Sequence, residues 1–148
     1  MRYLVDTNII SEMTKKQPDN GIVKWLENTA TADMFISVIS IGELVLGVAK
    51  LADGTKRTEL FGWLNELIHE IFNERIVDVD INVMEIWGEM SAKLTRSLPK
   101  LDTLIAASAI AWNMTVVTVN DRDIKDIPGL KFLNPRENKI ESFAKNPG

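Results

Sequence analysis

The stretch Met1-Arg2-Tyr3-Leu4-Val5-Asp6-Thr7-Asn8-Ile9-Ile10-Ser11 decides how the chain is read. Tyr3, Leu4 and Val5 form a short apolar run with the composition of a buried strand. Asp6-Thr7-Asn8 interrupts it with three small polar side chains, and an apolar segment resumes at Ile9. The pattern predicts a strand, a tight turn and a helix. In an open α/β sheet, ligands bind outside the carboxyl ends of the strands. Asp6 stands at such an end, so its carboxylate is either a helix cap or the floor of a site.

Outward from that stretch the alternation recurs. A polar loop at 15–21 precedes a short helix with Ile22, Trp25 and Leu26 on one face. Residues 34–38 read as a second strand. Ser40-Ile41-Gly42-Glu43 opens a helix whose Ile41, Leu44, Val45 and Val48 follow helical spacing. A turn at 52–55 leads into a helix with Leu60, Phe61, Leu64, Leu67, Ile68 and Ile71 on one stripe. Residues 75–79 alternate as a third strand, and the next helix carries Val83, Ile86, Trp87, Met90 and Leu94. The segment 101–112 is apolar nearly all round and alanine-rich, which suits a buried helix packed closely on a sheet. Residues 115–118 read as a fourth strand. A last short strand at 131–133 is stopped by Asn134-Pro135. The expected fold is α/β, a central parallel sheet of four to five strands flanked by helices on both faces. One domain spans 1–135, and 136–148 is a polar, frayed tail.

Composition removes several chemistries. The chain has 148 residues and no cysteine, so disulfides and thiolate metal sites are excluded. His69 is the only histidine, which rules out a two-histidine acid–base nuclease and a histidine-rich zinc site. A serine triad would have to use His69, which falls off the apolar stripe of its helix and reads as a solvated residue. No apolar run approaches the roughly 20 residues of a membrane span. The chain enters its first strand without a leader-like segment, so a cytoplasmic protein is expected. The net charge of -4 gives no global attraction to nucleic acid. Any such role needs a local basic patch or a metal ion.

Carboxylates remain plentiful, and several share one address. Asp6, Glu43, Asp102, Asp121 and Asp123 all fall where strands end and helices begin, on one edge of a parallel sheet. Taken singly, each has a structural reading. Asp6 or Thr7 caps the first helix, and Asp102 caps the buried one. Ser40 and Glu43 fit a capping box, and Asp121 with Asp123 form a solvated turn. Taken together, two carboxylates about 4 Å apart repel by roughly 4 kcal/mol at an effective dielectric near 20. Such a group is stable only when protonated or holding a cation. Oxygen ligands without His or Cys select hard ions, Mg²⁺ or Mn²⁺.

Four blocks carry a family resemblance: Val5-Asp6-Thr7-Asn8-Ile9-Ile10-Ser11, Ile39-Ser40-Ile41-Gly42-Glu43-Leu44-Val45-Leu46-Gly47, Leu101-Asp102-Thr103-Leu104-Ile105-Ala106-Ala107-Ser108-Ala109 and Val117-Thr118-Val119-Asn120-Asp121-Arg122-Asp123-Ile124. In this order they resemble the signature blocks of PIN-domain ribonucleases, most closely the VapC-type toxins of toxin–antitoxin pairs. The resemblance implies a PIN-like three-layer sandwich and a Mg²⁺- or Mn²⁺-dependent endoribonuclease acting on single-stranded or looped RNA. It implies in-line attack by water, giving a 5′-phosphate and a 3′-hydroxyl. It further implies a homodimer neutralised by a VapB-type antitoxin. Asp6, Glu43 and Asp102 match the family's core acids, with Asp6 and Asp102 as metal ligands and Glu43 acting through water. Asp123 matches the fourth acid, with Ile124 in place of the usual Phe. Asp121 is its rival, and Asn120 is a neutral ligand or a support. Thr7, Asn8 and Thr118 are supporting donors.

Two other readings compete. One is a phosphatase or phosphotransfer enzyme with Asp6 as nucleophile, although its usual second carboxylate is replaced by Asn8. The other is a non-catalytic module that binds RNA or protein. Lys15, Lys16, Lys50, Lys56, Arg57, Arg96 and Lys100 are candidate phosphate contacts, with Arg96 and Lys100 preferred for their nearness to Asp102 in sequence. Trp87 and Trp112 read as core. Trp63 reads as a groove or dimer contact, and helices near 22–30 and 41–72 resemble the family's antitoxin-binding region.

Overall fold

A computed structural model describes residues 1–137. Five strands, β1 (Tyr3–Val5), β2 (Met34–Ser37), β3 (Ile76–Val77), β4 (Thr115–Val117) and β5 (Lys131–Leu133), form one parallel sheet in the order β3-β2-β1-β4-β5. The sheet matches the expected architecture. The third strand is shorter than its alternation predicts, because only Ile76 and Val77 pair with β2. The chain runs outward from β1 through β2 to β3, then returns to place β4 on the other side of β1. The strand order therefore reverses at the β1/β4 boundary, where a crevice opens at the carboxyl edge.

Alternation along β1 and β4 divides the core into two layers. Val5 and Val117 face one layer, with Ile9, Ile10, Ile22, Trp25, Leu44 and Leu64. These come from α1 (Thr7–Glu12), α2 (Asn20–Glu27), α3 (Val38–Ala49) and α4 (Thr55–Glu66). Leu4 and Val116 face the other layer, with Val83, Met90 and Ile105 from α5 (Ile81–Ala92) and α6 (Lys100–Trp112). Ala106, Ala107 and Ala109 are buried at this second interface, and their short side chains bring α6 close to the strands. The expectation that α6 is buried throughout is corrected at its ends. Leu101 and Trp112 are each 45% exposed, so Trp112 is not core. Trp87 is partly buried and donates from Nε1 to Thr103 Oγ1 at 2.9 Å. His69 lies in a π-helical turn after α4 and is exposed, as its place off the stripe predicts. Among the described residues no helix is long and apolar enough to cross a membrane.

The C-terminal boundary needs one correction. Arg136 and Glu137 belong to a 3-10 turn, Pro135–Glu137, packed on α2 rather than to a frayed tail. The rest of that expected tail, 138–148, lies outside the described residues. Gly21 permits the packing: a Cβ there would lie 2.7 Å from the Pro135 carbonyl oxygen and 3.2 Å from Arg136 Cα. Gly21→Ala is expected to cost about 1–3 kcal/mol through forced overpacking. A lowered urea midpoint with an unchanged slope would register that loss.

Candidate active site

The site begins with the turn after β1. Asp6 caps α1, but only through one oxygen: Oδ1 accepts the Thr7 amide at 2.8 Å. Its Oδ2 accepts the Thr118 hydroxyl at 2.9 Å and the Asn8 side-chain amide at 3.3 Å. The Thr118 hydroxyl also accepts Asn8 Nδ2 and the Asn120 amide, both at 3.0 Å. Its single donor and both lone pairs are thus committed, and the residue is 1% exposed. Asn8 Oδ1 in turn accepts the Val119 amide at 3.3 Å. The choice between cap and site floor resolves into both roles for Asp6.

Glu43 is not the reciprocal half of a capping box. α3 starts one turn earlier than Ser40 predicts, with Ser37 as its cap accepting the Ile39 amide at 3.0 Å. Ser40 lies inside the helix, and its buried hydroxyl has no partner among the described residues. Glu43 is thereby released from capping and accepts the Thr7 hydroxyl at 2.7 Å. Asp102 is not a cap either. Pro99 occupies that position, and Asp102 sits in the first turn of α6.

Electrostatics ties these groups together. Burial, followed by the charges of Asp6, Glu43 and Asp123, raises the Asp102 carboxyl from 3.8 to about 6. Asp6 is also raised, mainly by burial and further by Glu43, against the lowering hydrogen bonds from Thr118 and Thr7. Asp6, Glu43, Asp102 and Asp123 therefore share one field although they lie on different elements. Asp123 accepts Asn120 Nδ2 at 2.7 Å, so Asn120 supports an acid directly. Asp121 instead accepts Asn134 Nδ2 at 3.2 Å and is engaged with the C-terminal turn.

Asp6, Glu43 and Asp102 open onto a cleft of about 410 Å³, lined also by Thr7, Asn8, Ser11, Glu12, Lys15, Val119, Asn120 and Arg136; Asp123 lies outside that lining. The preferred cations, Arg96 and Lys100, do not line it. Arg96 donates to the Arg122 carbonyl at 2.8 Å and pairs with Asp126 at 3.5 Å. Lys100 is an exposed first residue of α6. Both side chains lie outside the cleft lining, so any phosphate they meet would belong to a part of the nucleic acid beyond the cleft.

Lys15 does line the cleft, paired at 2.8 Å with Glu12. Glu12 was not singled out from sequence. It is 6% exposed, and the Lys15 hydrogen bond above all holds its carboxyl below the ordinary value. Glu12 also accepts the Asp19 amide at 2.8 Å, which joins α1 to α2. The available signal was its place four residues after Asn8, on the same face of the helix. A second concavity, about 610 Å³, lies between α3 and α4. Leu44, Val48, Leu60 and Trp63 line it, with Lys16 and Lys56 also contributing, and Ser11, Lys15 and Glu43 connect it to the acid cleft.

The donor set was judged against the hard ion that oxygen-only ligands select. Among the described residues no group of three or more His, Asp or Glu is arranged to enclose a metal ion by itself. Mg²⁺ does not require such a cage, since it retains several waters and uses one or two carboxylates. Asp6 and Asp102 both border the cleft. Both are held above their ordinary values at one sheet edge, a state that a cation relieves.

The Asp102 shift has a stability consequence with a definite sign. Its folded-state value lies above the unfolded one, so the protonated form favours the fold. That contribution is full below 3.8 and is lost as pH rises through about 6. In metal-free protein, Asp102→Asn is therefore expected to stabilise at pH 7.5 by on the order of 1 kcal/mol after allowance for solvent screening. The gain should vanish below pH 4, and paired thermal melts at the two pH values measure it.

With this geometry established, comparison with known proteins is informative. The PIN domain family model matches residues 3–130. The chain is 35% identical over 118 residues to the toxin FitB of Neisseria gonorrhoeae, spanning 78% of this chain and 85% of that protein. It is 34% identical over 142 residues to ribonuclease VapC2 of Rickettsia felis, spanning 90% and 98%. A chain in the crystal structure of FitAcB from Neisseria gonorrhoeae superposes with a TM-score of 0.83 at 31% identity, covering 90% of this chain and 97% of that one. The chain belongs to the PIN-domain family, among the VapC-type ribonuclease toxins of toxin–antitoxin pairs.

Proposed function

We propose that this protein is a divalent-metal-dependent endoribonuclease that hydrolyses single-stranded or looped RNA. The observation that carries the reading is the shared field of Asp6, Glu43, Asp102 and Asp123 at the point where strand order reverses. Asp6 and Asp102 would hold Mg²⁺ or Mn²⁺, which when bound polarises a phosphoryl oxygen and lowers the pKa of water. Thr118 and Asn8 fix the Asp6 carboxylate, leaving the cleft side for binding. The Thr7 hydroxyl fixes Glu43, whose carboxylate accepts a hydrogen bond from the attacking water and orients it. Asn120 holds Asp123 as the fourth acid. The water oxygen forms a bond to phosphorus as the bond to the 3′-oxygen breaks, and that oxygen leaves as a hydroxyl.

Partner binding follows the relatives. Rickettsia felis VapC2 has a counterpart in a solved VapBC2 complex bound to promoter DNA, and this chain matches a chain of that complex at 31% identity and a TM-score of 0.73. In this protein the groove between α3 and α4, with Trp63 in its lining, would take the amphipathic helix of a VapB-type antitoxin. For the expected homodimer, the apolar side chains of Ile81 and Met84, 78% and 43% exposed, would supply a contact between two copies.

Asp6→Asn and Asp102→Asn are each expected to lower Mg²⁺-dependent cleavage of labelled RNA by on the order of 100-fold or more, with Thr118→Val losing about 10–100-fold. Mg²⁺ should raise the melting temperature of the wild type and not that of Asp102→Asn. Full cleavage by both Asn variants, or by wild-type protein in excess EDTA, would refute the assignment. Ile81→Asp should sediment as a monomer if the patch joins two copies.

A further inference from the structure

A third concavity, about 510 Å³, runs along the flank of α2. Tyr3 and Trp25 line it and meet edge to face, with ring centroids 5.2 Å apart at 87°. Trp25 is almost buried, whereas Tyr3 is partly exposed. Lys24 and Asn28 are exposed on the same helix and line the pocket with Arg136. Arg136 lines the acid cleft as well, so the two concavities share a wall.

Arg136 is a held residue rather than a loose surface chain. Its amide donates to Asn134 Oδ1 at 3.0 Å, and its guanidinium lies 3.4 Å from Asp19 Oδ2. Asn134 is 4% exposed and donates to the Val119 carbonyl and to Asp121, which ties it to the loop leaving Thr118. Gly21 removes the Cβ that would push the turn off α2. The backbone that carries this cation is thus anchored relative to both the acids and the aromatic pair, with the guanidinium beside Asp19.

Aromatic faces beside fixed cations are what single-stranded nucleic acid uses for base stacking and backbone tracking. Tyr3 precedes Asp6 by three residues on β1, about 10 Å along the strand. A base beside Tyr3 therefore belongs to a nucleotide close to a phosphate held at Asp6. We propose that the α2 pocket is a nucleotide subsite of the RNA-cleaving site, taking a base that flanks the scissile phosphate against Tyr3 and its backbone on Arg136 and Lys24. The inference rests on the ribonuclease reading. Continuity with the acid cleft and a cationic lining favour RNA here over a protein partner.

The test walks a single abasic position along a short fluorescein-labelled RNA that the wild-type protein cuts. One position near the cut should raise the wild-type KM by about tenfold, the scale of one lost stack. Tyr3→Leu should raise KM on intact RNA by a similar factor with little change in kcat, and should no longer respond to that abasic position. Tyr3→Phe should restore both behaviours. Lys24→Ala and Arg136→Gln, which do not depend on the strand tolerating Leu, should each reduce the slope of log affinity against log salt by about 0.7. Wild-type cleavage with no sensitive abasic position overturns the subsite alone. Variants with unchanged KM and salt slope also overturn it and leave the pocket to a protein. Wild-type protein that cuts no RNA overturns the ribonuclease reading and the subsite with it.

Discussion

The hydrogen bond from the Thr118 hydroxyl to Asp6 joins the ends of the two central strands, and the acid site depends on it. A buried carboxylate without partners would take up a proton or draw in water. Here the hydroxyl, the Asn8 amide and the Thr7 backbone together keep Asp6 oriented while burial and Glu43 push its proton affinity upward. The result is a carboxylate that is fixed in direction and still short of positive charge. Asp102 has the second need without the first, since its shift arises from burial and neighbouring charge alone. One acid is held from behind and the other is left open, an arrangement compatible with the proposed cation site.

Much of this was legible in the chain. Short apolar runs such as 3–5 and 115–117 marked the central strands because a parallel sheet buries both faces. The ends of those strands located Asp6 and Thr118, and the four blocks located Glu43, Asp102 and Asp123. The local start of α3 was not legible, because Ser37 and Ser40 stand one turn apart and both satisfy the capping pattern. The helix in fact starts directly where β2 ends, with Ser37 still extended and its hydroxyl accepting the Ile39 amide. Trp112 was misjudged because apolarity all round α6 does not say which end runs past the sheet. Arg136 was not among the candidate cations, being distant in sequence from Asp6, Glu43 and Asp102, and it reaches the cleft because the turn after β5 packs on α2.

The cleft is accordingly less acidic than its motif suggests. Lys15 and Arg136 border the acids, and each is partnered by a carboxylate that does not belong to the central set, Glu12 and Asp19 respectively. These pairs keep the cations beside the acids without neutralising them directly. Both side chains keep part of their surface open to solvent while so paired.

The alanines of α6 carry a consequence beyond packing. Asp102 rides on a helix whose height above the strands is set by the methyl groups of Ala106, Ala107 and Ala109. Ala106 lines a small gap directly beneath the site, together with Asp6, Asp102, Val116 and Thr118. A bulkier side chain at that position would press on the floor beneath both carboxylates, so a residue with no chemistry of its own limits how they can be arranged.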